Sequence, residues 1–526
     1  EPENFWFEQS KNINWFESPL QENIISKGTG GSTHWFKGGK LNTSYLCLDK
    51  HCEDGYGDTI ALVWDSPVTS SQKSISYSTL LDQVSKFAGA LENLGVSKGD
   101  RVIIYMPMVW EASVAMLACA RLGAIHCVVF GGFASKELAV RIDDLKPKIL
   151  ITADYGIEIN RVIPYKPLVD AALSIASHPP HKTIMLKRSD PQDIPCPLDP
   201  ARDLLWNEVI EGADPVGPVV VDSTDTLYVM YTSGTTGLPK GIVRDNGGHA
   251  VALKWSMPNI FGMNPGDTMF TASDIGWVVS HSYMIYGPLI NRTKTIMFEG
   301  KPIKTPDAGT FWRIMSEQKV KSFFTAPTAI RAIKKEDPDG DFVRKYDLSN
   351  LEQFYLAGER LDPATQQWLE KLLPHTKVMD NWWQTETGWP IVANPIGIGD
   401  LPLKLGSPTV PMPGYDVQIL DGEGNKLKPN EIGNVVIKLP LPPGNFPTIW
   451  NNHSLYEKNY MTTFPGYYLT GDSGYIDEDG YCFIMGRIDD VINTAGHRLS
   501  TGQMEEIVSH HPSVAECAVI GVPHKL

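Results

Sequence analysis

Apolar residues at Tyr77, Leu80, Leu81, Val84, Phe87, Ala88, Leu91 and Leu94 recur with a helical period, and Gly95 supplies a stop. The continuous apolar run 101–106 (RVIIYM) then predicts a buried strand. Helical spacing returns over 110–124, a strand over 127–130, a helix over 135–145 and a strand over 148–153. Strands alternating with helices predict a mainly parallel α/β sheet. The alternation resumes after Asp225. The run 227–232 (LYVMYT) predicts a strand entering a Gly-rich loop, and 295–300, 321–327 and 353–359 predict strand ends carrying polar residues. Ligands in open α/β sheets bind at such carboxyl ends.

Two stretches break this rhythm. The first fifty or so residues are aromatic and Gly-rich without periodicity, which predicts an extended arm docked by Trp6, Trp15, Trp35 and Phe36. From about Gly406 short β-like runs (415–421, 433–439, 481–487) alternate with Gly/Pro turns, predicting a compact β subdomain. The expected division is an arm over 1–60, an α/β core of two subdomains over 61–405, a β subdomain over 406–488 and the start of a further domain over 489–526.

Composition narrows the function classes. A net charge of −15 argues against general nucleic-acid binding, which needs basic surfaces; a local pocket can still be cationic. The most apolar stretch, 102–130, is interrupted by Pro107, Glu111 and Arg121, so no membrane span is expected. Seven cysteines without a CxxC pair indicate neither a zinc ribbon nor a disulfide framework, and predict an intracellular address, cytoplasmic or mitochondrial. The chain opens without a Met, so a removed leader stays open.

The sharpest motif is the eleven-residue string 231–241, YTSGTTGLPKG. Its glycines permit positive φ and close backbone approach. Hydroxyls of Thr232, Ser233, Thr235 and Thr236 suit phosphate oxygens, with N–H groups around Gly234 and Gly237, and Lys240 adds a positive charge. The spacing differs from a Walker A loop. A surface hairpin of small residues would explain any five of these positions, but the full string argues against it. A second motif, DNWWQTETG at 380–388, joins two tryptophans to a polar QTET run that a buried aromatic turn would not require. Between these two stands Gly358-Glu359-Arg360, and further along stand Thr470-Gly471-Asp472, Gly486-Arg487-Ile488-Asp489-Asp490 and Gly496-His497-Arg498.

In this order and at these separations the motifs resemble those of the adenylate-forming superfamily. The likeness covers essentially the whole chain and is nearest to short-chain acyl-CoA synthetases of the propionate-preferring branch (GERLD, LPLPPG, FPGYY). The fold it implies is a large N-terminal domain of two α/β subdomains plus a β subdomain, followed by the start of a small mobile α+β domain. The activity it implies is ligation of a short acid to coenzyme A through an acyl-adenylate, with ATP and Mg²⁺, by a monomer or small homo-oligomer.

The resemblance also assigns roles. Residues 232–237 and Lys240 would hold the β- and γ-phosphates. Gly358, Glu359, Arg360, Asp380, Asn381, Trp382, Trp383, Gln384 and Thr385 would line the nucleotide, with Glu386 toward magnesium. Asp472 would accept both ribose hydroxyls, as an acceptor-only carboxylate can. Arg487 and Arg498 would meet phosphate or ribose, and Asp489 would be the interdomain hinge. Arg161, Ala495 and Gly496 would face coenzyme A, although Glu158 replaces a cation that acetate enzymes carry. His497 would pack. His511, with carbonyls of Ser509 and Val514, would hold a structural cation. Thr235, Lys240, Thr385 and Glu386 would serve the chemistry most directly.

The acyl pocket would be closed by Trp383 and walled by Val278, Val279 and Ala357. Acetate enzymes usually carry Val at the last position, so Ala357 leaves room for about one or two more carbons. A pocket discriminates one methylene by about 1–3 kcal/mol, which favours propionate without excluding acetate. The family's adenylation lysine lies beyond Leu526, so this stretch alone is expected to be a poor adenylating enzyme. Two alternatives stay open: a peptide-synthetase adenylation domain, and a nucleotide-binding regulator without ligase activity.

Overall fold

The structure, a computed structural model, describes residues 2–188, 194–232, 238–488, the backbone of 492–494 and 497–499, and residues 504, 508, 519 and 520. Two seven-stranded sheets dominate it. The first runs in the order 203–205, 182–186, 149–153, 101–105, 125–128, 226–232, 240–245. All neighbours are parallel except the last pair. The second runs 377–380, 353–356, 322–325, 268–271, 294–298, 60–66, 71–76, again parallel except for the last pair.

The local reasons match the periodicity. The helix Tyr77–Asn93 starts at Ser76, whose hydroxyl accepts from the Thr79 N–H, and buries Leu80, Val84, Phe87, Ala88 and Leu91. It ends before Gly95, which takes φ +84°, a conformation that costs glycine nothing. Strand Arg101–Tyr105 is buried on both faces, as a central parallel strand between helical layers must be.

The second sheet takes its first two strands from residues 60–76 and the rest from 268–380, so the two α/β units interleave along the chain. Periodicity reports which segments are strands but not which distant strand each one joins. The aromatic arm also departs from expectation: Pro2–Ser10 is an α-helix, and short helices occupy Thr43–Cys47 and Asp49–Glu53. The helix carries Trp6 fully buried against Trp35, Trp255 and Trp389, with ring centroids 6.5, 6.0 and 5.8 Å away. Such edge contacts contribute about 0.5–1.5 kcal/mol each beyond area burial. Tertiary packing thus sets a helix where the sequence shows no amphipathic period.

A four-stranded antiparallel sheet follows: 416–420, 433–438, 467–476, 482–487. Its third strand delivers Tyr468, Thr470 and Asp472 toward the loop that follows strand 377–380. Among the described residues no helix is long and apolar enough to cross a membrane.

Candidate nucleotide site

Strand Thr226–Thr232 and strand Lys240–Asp245 are antiparallel partners, with Thr232 opposite Lys240. The Gly-rich string is therefore the connection of a hairpin at the edge of the first sheet. Residues 233–237, and with them Ser233, Gly234, Thr235, Thr236 and Gly237, lie outside the described residues. The two ends of the string are described. Thr232 Oγ1 is buried with no hydrogen-bond partner among the described residues. Lys240 Nζ donates to the Tyr460 hydroxyl at 2.9 Å.

Tyr460 in turn donates to Glu386 Oε1 at 2.6 Å. A short polar chain, Lys240–Tyr460–Glu386, thus joins the phosphate-loop lysine to the QTET carboxylate. Burial first, and then the Glu386 charge, holds the Tyr460 phenol far above its usual range, so it is a donor at any physiological pH. Tyr460 sits on a π-helical turn, Glu457–Met461. Such turns insert an extra residue and often occur at functional sites.

The other half of QTET faces the antiparallel sheet. Gln384 Nε2 donates to Asp472 Oδ2 at 2.7 Å and to the Thr470 carbonyl at 2.7 Å. Its Oε1 accepts from the Tyr468 hydroxyl at 2.8 Å. Burial pushes the Asp472 carboxyl up to about 6, against the opposing charge of Arg487 and the hydrogen bonds of Gln384 and Trp382. Arg487 Nη1 stands 3.6 Å from Asp472 Oδ1 and also donates to the Thr470 carbonyl at 3.1 Å. Arg487 ends strand Cys482–Arg487, with Asp472 directly opposite in register.

Asp380 and Asn381 open the same loop. Asp380 is buried, pushed up to about 7 by desolvation, and accepts from the N–H groups of Asn381 and Leu361. Its carboxylate shapes the turn from within. Asn381 is buried with both amide atoms unpartnered among the described residues, and a buried amide without a partner costs about 1–3 kcal/mol. A donor–acceptor pair of this kind suits a heteroaromatic base or a hydroxyl. Glu359 is committed elsewhere: it accepts from Arg331 at 2.7 Å and from the Thr328 N–H at 2.8 Å. Arg360 packs against Gly406, where an added Cβ would come within 2.8 Å of the guanidinium, and Gly358 needs φ +101°. The ion pair of Glu359 ties the GER segment to the helix Pro327–Glu336 that carries Arg331.

Trp383 lies edge-on to Tyr283 at 5.6 Å and tilted against Phe324 at 6.3 Å. Ala357, Val278 and Val279 belong to the same contiguous apolar cluster. Arg161 stands exposed at the start of the second strand of a two-stranded hairpin, opposite Glu158. Asp489, Ala495, Gly496, Ser509, His511 and Val514 lie outside the described residues. Of Arg498 only the backbone is described, in a strand pair with 492–494.

Arg244 was not singled out in the sequence. It is fully buried and donates to the carbonyls of Glu386 (3.1 Å), Thr385 and Gly444 and to the Tyr228 hydroxyl (3.2 Å). One guanidinium fork thereby pins the QTET backbone to the first sheet. Gly388 is required beside it: φ is +74° and a Cβ would meet the guanidinium at 2.6 Å. The one available signal was Arg244's place three residues after the phosphate-loop glycine, Gly241, directly after the apolar pair Ile242 and Val243.

A cation accompanying a nucleotide also fits. The hydrogen bonds among described residues engage Glu386 at Oε1 alone, and no cluster of three or more metal-ligating side chains occurs among them. Mg²⁺ is held this way, by one or two carboxylates, waters and substrate phosphates.

Comparison with known proteins agrees with this geometry. Residues 48–450 match the family model of AMP-binding enzymes, and residues 1–47 that of the acetyl-coenzyme A synthetase N-terminus. The chain is 48% identical to human acyl-CoA synthetase short-chain family member 3, mitochondrial, over 99% of this chain and 75% of that protein. It is 45% identical to propionate–CoA ligase of Escherichia coli (strain K12), over 100% of this chain and 83% of that protein. Acetoacetyl-CoA synthetase from Streptomyces lividans superposes with a TM-score of 0.88 at 25% identity, covering 99% of this chain and 78% of that one. Hairpin lysine, QTET loop and buried aspartate stand in one place, on a chain whose whole length aligns with these relatives, and the protein belongs to the AMP-binding enzymes, among the short-chain acyl-CoA synthetases.

Proposed function

We infer that this protein ligates a short carboxylic acid, propionate before acetate, to coenzyme A through an acyl-adenylate. The observation that carries the reading is the convergence of two polar arms on one loop. Gln384 leads to Asp472 and Arg487, and Glu386 leads to Tyr460 and Lys240. One arm suits a ribose diol, the other a polyphosphate.

In the first step the acid's carboxylate oxygen attacks the α-phosphorus of ATP, and the bond to pyrophosphate breaks. Lys240 and the hairpin hydroxyls stabilise charge on the departing phosphates, while Asp472 fixes the ribose so that the α-phosphorus is in line. Mg²⁺, when bound, would neutralise phosphate charge beside Glu386. In the second step the coenzyme A thiolate attacks the acyl carbon and AMP leaves, giving the thioester.

Trp383 and Ala357 support the choice of acid: an indole closes the pocket, and a methyl where a Val would fill it leaves room for propionate. The relatives named above carry short-chain and propionate in their names. Six free cysteines among the described residues support a reducing intracellular compartment, cytoplasmic or mitochondrial.

The test is production of AMP and acyl-CoA by the full-length protein from Mg-ATP and coenzyme A with acetate, propionate, butyrate or hexanoate. Equimolar, acid-dependent formation of both products, greatest with propionate, is expected. Nucleotide binding without acid-dependent AMP would instead identify a regulator and end this reading.

A further inference from the structure

Among the described residues the Glu386 side chain makes one hydrogen bond, to the Tyr460 hydroxyl. That hydroxyl accepts from Lys240 at 2.9 Å and donates to Glu386 at 2.6 Å. The ring beneath it has no freedom. Tyr460 is buried, stacks on Tyr468 at 5.5 Å with 7° between planes, and meets the edge of Phe446 at 5.0 Å. Phe446 closes the loop by donating its N–H to the Glu386 carbonyl at 2.9 Å. A phenol this constrained sets where the carboxylate stands relative to the lysine.

We propose that Tyr460 is a positioning residue that holds Glu386 Oε1, so that Oε2 is presented to a phosphate-bound Mg²⁺ at a fixed spacing from Lys240. This rests on the reading of Glu386 as the carboxylate toward Mg²⁺. The chemistry favours a phenol in this place. A lysine directly on Glu386 would pair with it and draw charge away from a cation. An interposed hydroxyl donates to the carboxylate without cancelling its charge. The π-turn at 457–461 is the backbone device that brings the hydroxyl between the two.

The experiment measures binding, not turnover. The probe is the α,β-methylene analogue of ATP, which adenylation cannot cleave. Its affinity is determined by calorimetry with and without Mg²⁺, alongside that of AMP. Wild type should bind the analogue more tightly with Mg²⁺. Tyr460→Phe keeps the stacked ring and should lose about tenfold of that Mg²⁺ increment, with AMP affinity unchanged. In a Glu386→Gln background the same substitution should have no further effect, because Tyr460 acts through Glu386. Tyr460→4-aminophenylalanine restores a ring-borne donor and should restore the increment; if the Phe variant does not fold, this variant carries the test. An unchanged increment in Tyr460→Phe, additive losses with Glu386→Gln, or loss of the increment in the 4-amino variant each overturn the proposal. A wild-type protein whose affinity ignores Mg²⁺ overturns the reading of Glu386 itself.

Discussion

Tyr460 and Tyr468 stack with their rings 7° from parallel, and each hydroxyl serves a different residue of one four-residue run: Tyr460 donates to Glu386, Tyr468 to Gln384. The two arms of the site are thus indexed against each other by a rigid aromatic pair. Tyr468→Phe keeps the stack and leaves the Gln384 carbonyl without its donor. A buried acceptor left unmet costs about 1–3 kcal/mol. The expected outcome is several-fold weaker adenosine binding, read by calorimetry. An adenosine affinity equal to wild type would show that Gln384 does not need this anchor to hold Asp472.

The ribose side should be pH-sensitive in a defined direction. Asp472 titrates near 6 instead of 3.8 because it is buried. A pKa raised on folding means that the group's contribution to stability is full below about 4 and is lost as pH rises through 6. Ligand binding runs the other way: a protonated carboxyl cannot accept from both hydroxyls of a diol. Adenosine, which has no phosphate to titrate, should therefore bind about tenfold more weakly at pH 5 than at pH 7. In Asp472→Asn affinity should be low and flat across the same range, and a retained step would assign the titration to another group.

Arg244→Met should be costly. The change leaves three backbone carbonyls and a tyrosine hydroxyl without their buried donor, a loss on the order of 3 kcal/mol or more. Arg244→Lys should recover only part of it, since an ammonium cannot reproduce the fork. Urea unfolding midpoints measure both, and a Met variant as stable as wild type would contradict the pinning role.

The acid pocket yields to a steric test. Trp383→Gly removes an indole that packs on Tyr283 and Phe324. Affinity for alkyl esters of AMP should then rise with chain length at about 0.8 kcal/mol per buried methylene until the cavity is full. Ala357→Val should shift preference from propyl toward ethyl, because overpacking costs about 1–3 kcal/mol. A length profile unmoved by Trp383→Gly would remove Trp383 from the acyl site.

Much of this was legible beforehand because the signals are local. The helix at 77–93, the buried strands, the polar strand ends and the QTET run all announce themselves within a few residues. Lys240, Gln384, Glu386, Asp472 and Arg487 do converge. What stayed hidden is what depends on partners far away in the chain. Arg244 reads as one more residue of a strand until its carbonyl acceptors arrive from 385, 386 and 444. Tyr460 lies in an unremarkable KNYM stretch whose π-turn has no periodic signature. The carboxylate of Glu359 is held by Arg331, again a partner that spacing could not reveal.

The strand 60–66 pairs on one side with its hairpin partner 71–76 and on the other with 294–298. During synthesis the hairpin therefore emerges long before the strand that will cover its second edge. For that interval one row of backbone N–H and C=O groups is exposed next to apolar Ala61, Leu62 and Val63, a template for pairing with other chains. Fast translation through residue 298 or dilute nascent chains should favour recovery of folded protein, and truncation before the strand 294–298 leaves an open, adhesive edge. The interleaving that knits the two sheets into one body makes its early hairpin the place where production of the protein is most exposed to aggregation.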